Sequence, residues 1–284
     1  MKERYSIVTI DTWESFISFI SEMDDDIWIY RGQKDNSWEL KTSLERAADD
    51  YKIELTKLPK IEQGMIRKYH RHLRNNNVLR YEKSDYFEIM SLMQHHGSPT
   101  RFLDFSHSPY IGIFFAIIDA SICNDNKKAY ASVWAINSKW LDERYRYYSS
   151  PKYNQLLLND PYEKSQEIMK AILNERKACI KHVGPYEMNE RLIIQQGTFL
   201  IPLDLTKTFM TNLCYSYEEK ELIKNIIRID IECSKNFIDN AYKQLYRMNI
   251  SRATLFPGID GFSMHLKMLM LLPNTISSDC EDFA

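Results

Sequence analysis

Glycine is scarce in this chain, with eight in 284 residues, and none of them falls in a phosphate-cradling pattern. There is no G-x-x-x-x-G-K-S/T loop and no G-x-G-x-x-G turn, so neither of the common glycine-rich nucleotide sites is present. H-E-x-x-H and G-x-S-x-G are also missing, which excludes a zincin-type metal helix and a nucleophile elbow. The five cysteines, Cys123, Cys179, Cys214, Cys233 and Cys280, are odd in number and far apart, with no C-x-x-C or Cys/His spacing. They read as reduced thiols, and no metal is expected. Excess charge of one sign is lacking too. A net charge of −2 gives no global electrostatic case for a nucleic-acid or anionic-membrane partner. No apolar run is long enough to span a bilayer, and Met1-Lys2-Glu3-Arg4-Tyr5 is not followed by a signal-peptide core. A cytoplasmic protein with no membrane association is expected.

What the chain does have is a well-supplied core, 44% hydrophobic and 13% aromatic. The densest polar chemistry lies at Gln94-His95-His96-Gly97-Ser98-Pro99-Thr100-Arg101-Phe102-Leu103-Asp104-Phe105-Ser106-His107, and the most apolar run, Tyr110 to Ile118, follows at once. Ser108 suits an N-cap and Pro109 the first helical position, so that run is read as a buried helix. Upstream, Asp85 to Gln94 has helical periodicity, with Gly97 placed as its left-handed terminator and Ser98-Pro99 enforcing an extended turn. This frame holds Arg101 and Asp104 on stiff backbone, either as two groups of a site or as a buried ion pair that ties the loop down.

Thr12 or Asp11 caps a first helix to about Met23, and Ile27 to Gln33 reads as a strand ending in Arg31-Gly32, where the missing side chain leaves room for a ligand beside a cation. Trp38 to Leu44 is extended, followed by a polar insert at Ala47 to Tyr51. A basic helix runs from Lys60 to Asn77, its charges read chiefly as a solvated face. Ala129 to Ile136 is a strand. Lys139 to about Gly184 reads as a helical insertion with a long helix near 161–180. Arg191 to Pro202 gives strand, polar break at Gln195-Gln196, and strand. Asn225 to Ile231 is a strand, Ser234 caps a helix through Tyr246, and an apolar helix containing Leu266, Met268, Leu269 and Met270 comes last, before a frayed tail at 277–284. With no repeat and no linker, residues 1–284 are taken as one compact α+β domain, a mixed or antiparallel central sheet flanked by helices.

Four blocks of this chain resemble the FRG domain family, called after its Phe/Tyr-Arg-Gly signature. They are Tyr30-Arg31-Gly32-Gln33; Gln94 to Phe105 with Phe114-Phe115-Ala116; Arg191 with Gln196-Gly197-Thr198-Phe199; and Met248-Asn249-Ile250 with Leu255 to Gly261. His96 stands where the family more often has an aromatic residue. The resemblance implies a bacterial or phage-associated protein, in several relatives one in host–phage conflict. The order of the blocks resembles the layout of ADP-ribosyltransferases. That likeness implies a fold of the same kind, with NAD as a substrate and a first-strand arginine on its phosphates. Arg31, Gly32, Gln33, Thr100 and Arg101 would then bind the ligand, with Asp104, His95 and Gln196 as the catalytic group. Gln195-Gln196 occupies the place where that fold supplies a glutamate, so Asp104 or Glu190 would have to provide the carboxylate. Two readings follow: an NAD-dependent transferase or glycohydrolase, or a non-catalytic module that recognises a nucleotide or a phage component. A histidine-based nuclease is a third.

Overall fold

The computed structural model describes residues 4–23, 27–75, 86–124, 127–148, 177–184, 190–215 and 217–269. The described residues build one mixed sheet of seven strands: β1 (Ser6–Ile10), β2 (Trp28–Gln33), β3 (Leu103–Ser106), β4 (Tyr130–Asn137), β5 (Ile180–Val183), β6 (Gly197–Pro202) and β7 (Ile226–Glu232). Their spatial order is β1-β7-β4-β2-β3-β6-β5. The pair β1/β7 is parallel and the other five pairs are antiparallel. The α+β expectation holds.

Helices cover both faces of the sheet. Around β2 and β4 the alternation of side chains sends Trp28, Tyr30, Val133 and Ala135 to one face and Ile29, Trp134 and Ile136 to the other. The first face is packed by α1 (Trp13–Ser21), α5 (Pro109–Ile117) and α10 (Lys235–Arg247) through Phe16, Ile113, Phe114 and Leu245. The second is packed by α6 (Ser138–Tyr148), α8 (Phe209–Cys214) and α9 (Glu219–Asn225). Against the β3/β6 end lie α3 (Leu58–Asn75) and α4 (Tyr86–His95), whose Ile66, Phe87 and Met90 meet Phe102 and Phe199. Four shorter or peripheral helices complete the described set: α2 (Ser43–Asp50), α7 (Glu190–Ile194), α11 (Arg252–Leu255) and α12 (Ile259–Leu269).

Local chemistry starts these helices at the positions the sequence indicates. Thr12, Ser108 and Ser234 each accept a hydrogen bond from the third helical amide, with Pro109 at the start of α5. Gly97 has φ of 79°, the left-handed value that ends the turn after α4. Three expectations are corrected. Ala47 to Tyr51 is not a polar insert but the second half of α2 with its C-cap, in a helix capped by Thr42 that buries Leu44 and Ala48. Arg191 to Ile194 is helical and not a strand. Its branched residues suggest β structure, but Leu192 alone is buried there and Ile193 is open to solvent. Ile180 does not end a helix, since Ile180–Val183 pairs with β6. The segment between, including most of the helix expected near 161–180, lies outside the described residues, as does the tail at 277–284. Among the described residues, no helix is long and apolar enough to cross a membrane.

The glycine of the Tyr-Arg-Gly sequence has a structural cause that differs from the expected one. A Cβ on Gly32 would run into the carbonyl oxygen of Gly112 and the amide nitrogen of Ala116, both main-chain atoms of α5. Gly32 therefore lets the central helix lie directly on β2, and the space it leaves is filled by that helix, not by a ligand. Overpacking a core costs about 1–3 kcal/mol when side chains can yield. Main chain yields less, so Gly32→Ala is expected to lower unfolding free energy by at least about 3 kcal/mol in urea titration. A loss under about 1 kcal/mol would show that α5 can move aside.

Candidate functional site

The sheet opens between β2 and β3. These strands share a single registered pair, Tyr30 with Ser106, whereas β2 keeps six with β4 and β3 keeps four with β6. Past Tyr30 the main chains separate, and a side chain bridges the gap: Nη1 of Arg31 donates to the carbonyl oxygen of Asp104 at 2.7 Å. The Asp104 carboxylate stands 4.0 Å from the same nitrogen. Nε of Arg31 is buried and has no hydrogen-bond partner among the described residues. Burial is the main cause that pushes its pKa down to about 10; Asp104 opposes the shift and Arg46 adds to it. The guanidinium is still cationic at neutral pH.

Arg31 stands where two hollows meet. On one side is a cleft of about 750 Å³ that also takes in Trp38, Glu39, Arg46, Asp50 and Phe115. On the other is a pocket of about 230 Å³ in the opening itself, lined by Tyr30, Asp104, Phe105, Ser106, Arg191 and Gln195. Asp104, Arg191 and Gln195 also line a third hollow of about 90 Å³ that reaches Gln94 and His95. These hollows adjoin through shared walls and together form the trough of the site, and the largest of the three lies in the size range of small-molecule sites.

The expected site residues divide. Asp104 is 57% exposed on its side chain and reaches the trough, its Oδ1 accepting from Nε2 of Gln94 at 2.8 Å. Thr100 stays behind that contact: its hydroxyl donates to Oε1 of Gln94, and its amide donates to Ser43 Oγ at 3.0 Å. Buried Thr100 therefore positions Gln94, which positions Asp104. His95 stands at the far end, exposed, its ring 5.0 Å from that of His96. Partial burial, then His96 and Arg191, hold its pKa below the ordinary imidazole value, so it is neutral at pH 7. Gln33 faces inward, accepting the Trp134 indole N–H at 2.8 Å and donating to the Glu39 carbonyl at 3.3 Å. Gln196 does not line the trough. It takes φ of 46° in an exposed turn, where its carbonyl accepts the His107 amide at 3.0 Å. Gln195 lines the trough in its place, with Nε2 donating to the Leu255 carbonyl at 2.9 Å and its own carbonyl accepting from Ser106 Oγ at 2.8 Å.

Arg101 does not pair with Asp104. Its guanidinium grips Glu62 of α3 through Nε and Nη2, with Nε 2.9 Å from each carboxylate oxygen, and Nη1 donates to the Pro202 carbonyl at 3.3 Å. Both side chains are almost wholly enclosed, away from the trough. Arg101 precedes β3 and enters the layer under α3, whereas Asp104 within β3 points out beside Phe199. The sequence conceals this acidic partner, because it lies 39 residues upstream on a helix whose charges read as a solvated face. Arg46, Trp38, Gln94 and Arg191 join the site only in the folded chain. Arg191 lies with its guanidinium over the Phe256 ring, 4.6 Å from the centroid, a contact between segments far apart in sequence. Among the described residues, no group of three or more His, Cys, Asp and Glu side chains is arranged to hold a metal.

Residues 26–125 match the FRG domain family. The family likeness rests on this stretch. No curated protein and no solved structure matches the chain. The matched span contains β2, α4, β3 and α5, and so both Arg31 and Asp104. Within the matched stretch the Tyr-Arg-Gly-Gln residues divide the labour. Tyr30 is buried under α5, Arg31 crosses the opening, Gly32 admits the helix, and Gln33 holds Trp134. Arg191 and Gln195 complete the trough from outside the matched span.

The separate surroundings of Arg101 and Asp104 predict different stability effects. Arg101→Ala or Glu62→Gln leaves a buried charge without its counterpart and is expected to cost about 3–5 kcal/mol in chemical denaturation. Asp104→Asn, at an exposed position, is expected to change stability by under about 1 kcal/mol. Equal losses in the two experiments would contradict the separation of Arg101 from Asp104.

Proposed function

We propose that the trough of this FRG domain binds a phosphorylated nucleotide, with Arg31 as its anion anchor, and that NAD is the substrate. The observation that carries the reading is the Arg31 guanidinium. It is cationic, only 20% exposed, joined to the protein by one hydrogen bond among the described residues, and set where the two largest parts of the trough meet. A fork with open donors in a partly dehydrated cleft suits a phosphate, since charge-assisted bonds are stronger there than in water. Arg46, near enough to depress the pKa of Arg31, adds a second positive charge on the cleft side.

In this reading Asp104 faces the ribose next to the nicotinamide. The C1′–N bond breaks with its electron pair leaving on nicotinamide, and the carboxylate stabilises the positive charge that develops at C1′. Water then adds at C1′ and gives up a proton in a glycohydrolase, or an acceptor nucleophile does so in an ADP-ribosyltransferase. Neutral His95, along the same trough, is suited to accept that proton. The setting we propose is cytoplasmic and bacterial or phage-borne, where NAD consumption serves host–phage conflict. The resemblance supports that setting.

A second reading, a nucleotide-binding module without turnover, is favoured by one observation. The Asp104 carboxylate is already held by Gln94 and faces Arg31 at 4.0 Å, and among the described residues it is the only carboxylate lining the pocket between β2 and β3. Calorimetry with ADP and a timed assay of NAD consumption separate the two. Arg31→Lys is expected to weaken ADP binding about tenfold or more, because an ammonium cannot reproduce the fork, while a lysine can still donate to the Asp104 carbonyl and so keeps the unliganded melting temperature close to that of the unaltered protein. Asp104→Asn is expected to keep ADP binding and abolish NAD consumption. ADP binding with no NAD consumption by the unaltered protein would leave the binding module. ADP binding unchanged in Arg31→Lys would remove the anchor.

A further inference from the structure

We infer that Trp38 is the stacking platform for the nucleotide's base, at a subsite of the large cleft distinct from the phosphate anchor; the inference rests on the nucleotide reading above. Of the five tryptophans, Trp13, Trp28 and Trp134 are buried, and Trp140 stacks on Tyr217 with ring centroids 4.4 Å apart. Trp38 is different. It is 48% exposed in the loop between β2 and α2, where its amide closes a turn onto the Asp35 carbonyl, yet it lines the same cleft as Arg31. Its one ring neighbour among the described residues is the Lys34 ammonium, 5.7 Å from the centroid. An indole left half open forgoes apolar burial, and a concave site is where such a face gains a partner.

Beside it stand the exposed Lys34 ammonium, a cation of the same cleft, and carboxylates that favour a base and its ribose over a second phosphate. Lys41 is committed to Asp49 at 2.8 Å, and Arg46 Nη1 donates to the Lys41 carbonyl at 2.7 Å. The exposed carboxylates of Glu39 and Asp50 line the same cleft. Carboxylates repel phosphate but accept hydrogen bonds from ribose hydroxyls and an exocyclic amine. A ligand matched to this cleft carries its anionic groups at Arg31 and a flat, neutral ring at Trp38, which describes a nucleoside 5′-diphosphate or a dinucleotide and not a bare polyphosphate.

Aromatic stacking of one base is worth enough that alanine substitution costs roughly five- to a hundredfold in affinity. Trp38→Ala is therefore expected to weaken ADP binding about tenfold while pyrophosphate binding stays unchanged, and Trp38→Phe is expected to recover most of the loss. Photolabelling of the unaltered protein with 8-azido-ADP, followed by peptide mapping, provides a readout independent of how the variants fold. Label in the peptide that contains Trp38 supports the platform. ADP binding unchanged in Trp38→Ala but lost in Arg31→Lys, or label confined to other peptides, overturns the platform and leaves the anchor. No ADP binding by the unaltered protein overturns both.

Discussion

The early parting of β2 from β3 is the constraint on which the rest of this structure depends. Two strands that share one residue pair in the middle of a sheet leave main-chain groups facing a gap, where a side chain, water or a ligand takes the place of the missing strand partner. Arg31 supplies one by reaching across to the Asp104 carbonyl, so a side chain replaces a rung of the ladder. The opening persists because each strand is held from its other side, β2 by β4 and β3 by β6. Helix α5 leaves the end of β3 and lies back over β2 at Gly32, which fixes the floor beneath the trough. Separation, bridge and floor come from consecutive residues of one strand.

Two arginines in this domain show how environment decides what a cation does. Arg101 is enclosed together with a carboxylate, its fork closed on Glu62, and such a pair ties α3 to the segment before β3. Arg31 meets a carbonyl at hydrogen-bond distance and a carboxylate only at 4.0 Å. Its burial disfavours the charged form, which lowers its pKa while leaving it cationic. The first arrangement contributes specificity to the fold. The second retains a capacity for an outside anion.

Sequence order reveals those features whose causes are local. Ser108-Pro109, Ser234 and Thr12 mark helix starts because a cap is made within one turn, and Gly97 marks a helix end because its φ is positive. The strand Ile226–Glu232 and the strand ending in Arg31-Gly32 follow from branched and aromatic residues. Features set at a distance are hidden. Glu62 and Arg101 lie on separate elements, and nothing near either indicates the other. Gly32 shows that close approach is required there but not by what. Gln195 and Gln196 are neighbours, and only the turn with φ of 46° at the second determines which of them faces the trough. β1 carries the same kind of branched residues, Ile7, Val8, Thr9 and Ile10, but a run of five gains its place in the sheet only through β7, more than two hundred residues away.

The pairing of β1 with β7 also bears on the order of assembly. Ser6–Ile10 lies alongside Ile227–Ile231, and Ser6 Oγ donates to the Ile223 carbonyl, so one margin of the sheet joins its first strand in sequence to its last. During synthesis the first strand must wait, without a ladder, until more than two hundred further residues have been made. Loop closure on that scale is slow compared with the nearer pairing of β5 with β6. The trough between β2 and β3, whose strands and covering helix α5 emerge earlier than β7, can thus take shape on the ribosome before the sheet it belongs to is complete.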